Sequence, residues 1–189
     1  MNLPELKIGK LVAQVPIIQG GMAIRLSTAP LAAAVANEGG IGLIAASGMG
    51  LDELRKEIRM ARELTGGKGI IGINAMVAAR QFLDLITTAA EEGIDLIVAG
   101  AGFSRDIFAV GKKYGVEVVP IVSSARLAQT AEKLGASAVV VEGTEAGGHL
   151  GTQQSIKEIL PEVIEAVNIP VIAAGGAVDG NDVADLLKL

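Results

Sequence analysis

The sequence contains no cysteine and no tryptophan, and aromatic residues make up only 2% of its 189 residues. Without cysteine the chain can form neither disulfide bonds nor thiolate metal sites, and nothing in it indicates secretion. The net charge is −5, and basic residues form no clusters with interleaved aromatics. These features argue against nucleic acid as a partner.

Long hydrophobic runs are absent as well, although hydrophobic residues make up 50% of the chain and its mean hydropathy is +0.50. The run at 94–99 is typical of the sequence, and it is far too short to cross a bilayer. The N-terminus has no charged-then-apolar signal segment. We therefore expect a cytoplasmic protein with one domain over residues 1–189, a buried sheet and no membrane partner.

Short apolar runs alternate with amphipathic stretches along the whole chain. The apolar runs predict seven strands, at residues 15–19, 41–45, 69–74, 94–99, 116–122, 138–142 and 170–174. The amphipathic stretches predict helices at 28–37, 52–64, 80–92, 104–114, 124–134, 155–167 and 180–189. This alternation is typical of βα units in a parallel sheet that is buried on both faces.

Several residues predict where helices begin and end. Asp52 and Ser124 are expected as N-caps, and Ser155 with Glu158 is expected to form a capping box. Glycine directly follows three predicted helices, at positions 93, 115 and 135. Glycine suits the left-handed conformation that ends a helix.

Seven βα units favour an α/β fold of the TIM type, a (β/α)8 barrel whose eighth strand is missing. Eight such units need roughly 200 to 250 residues, so we expect the chain to be truncated at its C-terminus. An open Rossmann-like sheet is the alternative. Its G-x-G-x-x-G fingerprint is absent after the first predicted strand, where the chain reads Gln19-Gly20-Gly21-Met22.

Glycine pairs recur at the carboxyl ends of the predicted strands, where TIM-type barrels build their sites. Gly20-Gly21 follows the first strand and Gly175-Gly176 follows the last one. Such pairs indicate backbone packed closely against a large flat ligand. The helix after Gly176, capped by Asp179 or Asn181, is expected to offer N–H groups to a phosphate.

The segment Glu142–Gly151 holds four glycines, two carboxylates and the only histidine of the protein. Its glycines let backbone N–H groups approach a ligand closely. His149 is the one side chain here that can transfer a proton near neutral pH without a large pKa shift. The alternative interpretation is a flexible surface turn with a solvated histidine.

Four segments resemble the signature segments of the nitronate monooxygenase family, formerly called 2-nitropropane dioxygenases, which includes the flavin-dependent enoyl-acyl-carrier-protein (ACP) reductases. They lie, in order along the chain, at 16–22, 72–74, 142–151 and 170–176. The resemblance implies a TIM barrel that binds FMN. It also implies an eighth strand and a C-terminal helical region beyond residue 189.

The resemblance assigns roles to individual residues. Gly21 and Met22 would pack on the isoalloxazine ring, while Asn74 and Glu142 would bond its polar edge or the ribityl chain. His149 would be the catalytic residue beside the ring. Glycines would line the ribityl chain and the phosphate, namely Gly147, Gly148, Gly175 and Gly176. The cofactor-binding set also includes Gly20, Ala146 and Ala174.

Three functions are compatible with these residues. A nitronate monooxygenase would oxidise a nitronate or nitroalkane with O2, and the opening segment 4–9 and Glu142-Gly143-Thr144 look closer to members with that name. An enoyl-ACP reductase would use the same flavin with NAD(P)H as the electron donor. A scaffold that binds a phosphate ligand without turnover is the third. The sequence is also compatible with a homo-oligomer.

Overall fold

A computed structural model describes residues 3–148 and 151–189, without the side chains of Ala23 and Ile24. The chain divides into two compact units, residues 1–118 and 119–189. No helix in the described residues is long and apolar enough to span a membrane.

The first unit opens with an antiparallel hairpin that the sequence patterns did not predict. Strand β1 (Leu6–Ile8) pairs with β2 (Leu11–Ala13). Gly9 in the turn has φ +55°, and a Cβ there would lie 2.1 Å from a carboxylate oxygen of Glu117. Because β1 and β2 have only three residues each, they fall below the length at which alternation is recognisable.

The rest of the first unit alternates parallel strands with helices. Its strands are β3 (Ile18–Gln19), β4 (Ile41–Ala45), β5 (Ile70–Met76) and β6 (Leu96–Gly100). Each pairs in parallel with the next in sequence. Its helices are α1 (Ala23–Leu26), α2 (Ala29–Asn37), α3 (Leu51–Leu64), α4 (Phe82–Glu91) and α5 (Asp106–Tyr114).

The second unit continues the same alternation. Strand β7 (Glu117–Val122) runs across the boundary between the units. It is followed by α6 (Ala125–Leu134), β8 (Val139–Glu142), α7 (Ile156–Ala166), β9 (Val171–Ala174) and α8 (Gly180–Leu186). Strands β7, β8 and β9 pair in parallel in sequence order. All seven predicted strands are thus present, and each parallel pairing described within a unit joins consecutive strands.

The core of the first unit depends on strands that are buried on both faces. Every residue of β4 and β6 is buried. Helix α2 packs against β4 so closely that a Cβ on Gly42 would lie 1.9 Å from the carbonyl oxygen of Ala32. Small residues therefore set the spacing between this helix and the sheet.

The predicted helix ends are mostly confirmed. The Ser124 side chain accepts a hydrogen bond from the Leu127 N–H at 3.3 Å, and Ser155 forms the capping box with Glu158. The glycines at 93, 115 and 135 all have positive φ. The prediction for Asp52 was wrong, because α3 begins at Leu51 with Gly50 as its N-cap.

A partly buried ion pair ties α3 to the amino ends of β5 and β6. Arg62 donates to the Asp95 carboxylate at 2.8 Å, to the Gly93 carbonyl at 2.7 Å and to the Gly69 carbonyl at 3.1 Å. Asp95 also accepts from the Ile71 N–H at 2.8 Å. The pair therefore satisfies backbone groups that would otherwise lie unpaired at the sheet edge.

Replacing Asp95 with alanine should lower the free energy of unfolding by about 1.5–3 kcal/mol, because it removes the acceptor of the Ile71 N–H and the only negatively charged acceptor among the three partners of Arg62 described above. Urea denaturation measures the change. The control is Asp52→Ala, whose carboxylate is 94% exposed and pairs with Arg55, so that little change is expected. Equal losses in the two variants would contradict the role assigned to Asp95.

Candidate functional site

The turn after β3 is held by a buried serine. The Ser27 Oγ accepts from the Met22 N–H at 2.8 Å and from Gln19 Nε2 at 2.9 Å, and it donates to the Gly20 carbonyl at 3.2 Å. A Cβ on Gly20 would meet nothing within 4 Å. Hydrogen bonds to Ser27 therefore fix one side of the turn, and the side next to Gly20, called its outer side, is open.

The carboxyl ends of the next two strands lie beside this turn. Asn74, near the end of β5, donates from Nδ2 to the Gly21 carbonyl at 3.4 Å, and a Cβ on Gly21 would lie 2.4 Å from the Asn74 Cβ. The Ser47 Oγ after β4 accepts from the Met76 N–H at 2.8 Å. The structure thus brings together Gly21 and Asn74, two of the residues predicted for the site.

In the second unit, the glycine-rich loop after β8 is anchored at both sides. The Gly143 N–H donates to the Ala174 carbonyl at 3.0 Å, which joins the loop to the end of β9. The Glu145 carboxylate accepts from the N–H of Ile156, the first residue of α7, at 3.0 Å. A Cβ on Gly143 would lie 2.3 Å from that nitrogen, so only glycine permits this close packing.

The second glycine pair lies against the same loop. Gly175 has φ +107°, and a Cβ there would lie 2.7 Å from the Ala146 nitrogen. Gly176 has φ +77°, and its Cβ would lie 3.4 Å from the Glu145 Cβ. No acceptor within the described residues takes a hydrogen bond from the N–H groups of Gly175 and Gly176. The structure therefore brings together Ala146, Ala174, Gly175 and Gly176, with two N–H groups left to bind a ligand.

Two further glycines of the loop have space around them. A Cβ on Gly147 or on Gly148 would meet nothing within 4 Å, and Gly148 has φ +97°. Neither glycine is therefore required by packing against the described residues. His149 lies outside the described residues, and its predicted role stays a prediction.

Glu142 ends β8 with a half-buried carboxyl group. Burial raises the pKa of this carboxyl above its ordinary value, because desolvation disfavours the charged form. Within the described part of the chain no hydrogen bond or salt bridge stabilises the charge. A carboxyl in this state is suited to exchange a proton or to donate a hydrogen bond when protonated.

The predicted phosphate site at the start of α8 needs a correction. Asp179 is the N-cap as expected, but its carboxylate accepts from the N–H groups of Asn181 at 2.8 Å and Asp182 at 3.1 Å. The Asp182 carboxylate accepts from Val178 and Asp179 in return. The N–H groups of Asn181 and Asp182, in the first turn of α8, are therefore already satisfied by the Asp179 side chain.

The profile of the nitronate monooxygenase family matches residues 5–94 and 75–189. The chain belongs to the nitronate monooxygenase family.

Two proteins with similar sequences have different names. A "(3aS,4S,5R,7aS)-5-hydroxy-7a-methyl-1-oxo-octahydro-1H-indene-4-carboxyl-CoA dehydrogenase" from Rhodococcus jostii is 34% identical over 92% of this chain and 48% of its own length. A probable nitronate monooxygenase from Staphylococcus aureus is 32% identical over 89% of this chain and 59% of its own length.

The solved structure of FabK from Thermotoga maritima has a TM-score of 0.86 and 39% identity, over 92% of this chain and 54% of its own length. The chain thus spans about half the length of these relatives. The alternating parallel strands and helices that it shares with FabK confirm the predicted α/β fold class of the TIM type.

Two residues of this family member were missed by the sequence patterns. Ser27 lies directly before a predicted helix start, and nothing in its neighbours marks it as buried. Glu145 caps a helix that begins 11 residues later in the chain. A contact of this kind depends on the path of the loop and has no local signal.

The raised pKa of Glu142 predicts that Glu142→Gln changes the melting temperature by an amount that depends on pH. A raised pKa in the folded state means that the carboxyl favours folding below its unfolded pKa of about 4.3, and that this contribution is lost as the pH rises through the folded-state pKa. The variant should therefore melt at a higher temperature than the original protein at pH 8, and the difference should narrow towards pH 4.5. Thermal melts across this range measure it.

Glu158→Gln is the control with the opposite sign. Hydrogen bonds from the backbone and side chain of Ser155 lower the pKa of Glu158, so its charged form supports folding above the unfolded pKa. This variant should melt at a lower temperature at neutral pH. If the Glu142→Gln difference were constant across the pH range, the buried charge would not be its cause.

Proposed function

We propose that the protein is an FMN-dependent oxidoreductase, and that it acts as a nitronate monooxygenase on small alkyl nitronates with O2. The observation that carries the proposal is the junction of the glycine loop with the end of β9. There Gly175 packs against Ala146 and leaves two backbone N–H groups without an acceptor in the described residues. Membership of the family supports the oxidoreductase chemistry.

The first unit fits the ring of a flavin. The turn at Gly20–Met22 has no side chain on its outer side before Met22, whose side chain is 47% exposed. Such a turn can lie flat against an aromatic ring system. The Asn74 side chain near the end of β5 can bond a polar edge of the same ring. Its Nδ2 donates to the Gly21 carbonyl, and within the described residues no donor is seen for its carbonyl oxygen.

The second unit fits the phosphate only in part. The N–H groups of Gly175 and Gly176 can donate to phosphate oxygens, as backbone donors do in many anion sites. The N–H groups of Asn181 and Asp182 at the start of α8 do not add to these donors, because the Asp179 carboxylate already accepts from both. The phosphate would therefore rest on the glycine pair rather than on the helix.

FMN would supply the redox chemistry when bound, and the protein would position the reactants. In the first unit, backbone at 20–22 would lie against a flavin ring. In the second unit, the Gly175-Gly176 pair would donate to a phosphate. The half-buried carboxyl of Glu142 would bond a polar group of the cofactor. His149 would take the α-proton of a neutral nitroalkane, a step that a preformed nitronate does not need.

A second candidate function is that of a flavin-dependent enoyl-ACP reductase that uses NAD(P)H. The 39% identity with FabK favours it. The two functions differ in the electron donor, so anaerobic reduction of the bound flavin separates them. Rapid bleaching by NAD(P)H would support the reductase, and bleaching by a nitronate alone would support the monooxygenase. A purified protein without flavin absorbance, which FMN does not restore, would support a scaffold instead.

Replacing Gly176 with leucine should lower the FMN content of the purified protein. Gly176 has φ +77°, and a bulky side chain would occupy the place where phosphate has to approach the backbone. The visible absorbance of flavin, divided by the protein concentration, measures the loss.

Gly135→Leu is the matched control for this variant. Gly135 also has positive φ, +97°, but it ends α6 and a Cβ there would meet nothing within 4 Å. The strain of the left-handed backbone is therefore similar, while FMN content should stay normal. Undiminished flavin in Gly176→Leu would contradict the phosphate assignment.

Replacing His149 with asparagine should reduce turnover of a neutral nitroalkane by about 10²–10⁴-fold, the usual contribution of a general base. Turnover of the preformed nitronate should fall by less, because its α-proton is already gone. FMN content should stay near normal, and it serves as the internal control. Equal and small losses with both substrates would assign the proton transfer to another group or to water.

A further inference from the structure

Ser27 is fully buried, although serine most often lies at the surface of proteins. A hydroxyl group has one proton to donate and two lone pairs to accept with. The Ser27 Oγ uses all three, towards the Met22 N–H, the Gln19 amide and the Gly20 carbonyl. The donor and both acceptor positions of the hydroxyl are therefore used within the turn at 20–22 and by Gln19 before it.

The main chain of Ser27 connects the same turn to the sheet. Its carbonyl accepts from the Ala45 N–H at 2.8 Å, and its own N–H donates to the Met22 carbonyl at 3.3 Å. Ala45 is the last residue of β4. Ser27 thus joins the turn after β3 to the carboxyl end of the neighbouring strand.

Gln19 supports this arrangement from the other side. Its Oε1 accepts from the Leu43 N–H at 3.3 Å, and its Nε2 donates both to the Ser27 Oγ and to the Gly20 carbonyl. The two side chains form one network. A turn that begins with two glycines has little conformational preference of its own, so this network sets its shape.

We propose that Ser27 is a positioning residue for the flavin. Its hydroxyl holds the turn at Gly20–Met22 in the conformation that packs against the isoalloxazine ring. Ser27 does not touch the ring itself, because its side chain has no exposed surface. This inference rests on the proposed function, since it needs a flavin that contacts the turn.

The test compares FMN binding by the purified protein and by Ser27→Ala. The apoprotein is titrated with FMN, and quenching of flavin fluorescence gives the Kd. The variant should bind FMN about tenfold more weakly, because the turn must be ordered on binding. The visible circular dichroism of the bound flavin should also change, since it reports the environment of the ring.

Two further variants separate the hydroxyl from general stability. Ser27→Thr keeps the hydroxyl and should restore most of the affinity. Gln19→Met removes the second member of the network and should weaken FMN binding in the same direction as Ser27→Ala. It therefore also serves as the test if Ser27→Ala does not fold.

Thr65→Ala is the matched control. Thr65 is also a buried hydroxyl in the first unit, and its Oγ1 donates to the Ala61 carbonyl at 3.0 Å. It lies at the end of α3, next to the amino end of β5. Its loss should reduce stability, measured by urea denaturation, while the Kd and the dichroism of the flavin stay unchanged.

The outcomes are distinct. If the original protein binds FMN and Ser27→Ala binds it equally well with the same dichroism, the positioning role is overturned and the proposed function stands. If Thr65→Ala weakens binding as much as Ser27→Ala does, the effect is one of stability, and the role is again overturned. If the original protein binds no FMN, the proposed function falls, and the inference falls with it.

Discussion

Parallel pairing of neighbouring strands is the constraint on which both units depend. In a parallel sheet all carboxyl ends point to one edge, so residues distant in sequence become neighbours there. The register of the strands shows this, because Ala45 pairs with Asn74 in the first unit and Glu142 pairs with Ala174 in the second. Each candidate site residue that the structure describes lies at such an edge or in the loop that follows it.

The close packing at these edges gives glycine two different roles. At Gly21, Gly143 and Gly175 a Cβ would overlap atoms of the chain itself, so these glycines serve the fold. At Gly147 and Gly148 the space is open, so packing against the described residues gives no reason for glycine, and only the φ of +97° at Gly148 favours it. The distinction matters because a glycine-rich loop alone does not tell which of its members contact a ligand.

The sequence predicted the βα alternation and most helix ends, because each of these depends on local patterns. It did not predict the hairpin of β1 and β2, whose three-residue strands are too short to show alternation. It placed an N-cap at Asp52 where Gly50 serves, since a glycine N-cap has no side-chain signal. The networks around Ser27 and Glu145 were missed because they join segments through the folded chain.

The carboxylates at the start of α8 have a consequence for ionic strength. An isolated helix N-terminus attracts anions, and added salt weakens that attraction. Here Asp179 and Asp182 place negative charge within a few residues of Gly175 and Gly176, so their field repels an approaching phosphate. Salt screens repulsion as well as attraction. An anion held by this glycine pair would therefore meet an electrostatic penalty that is largest in dilute buffer and declines as counterions accumulate.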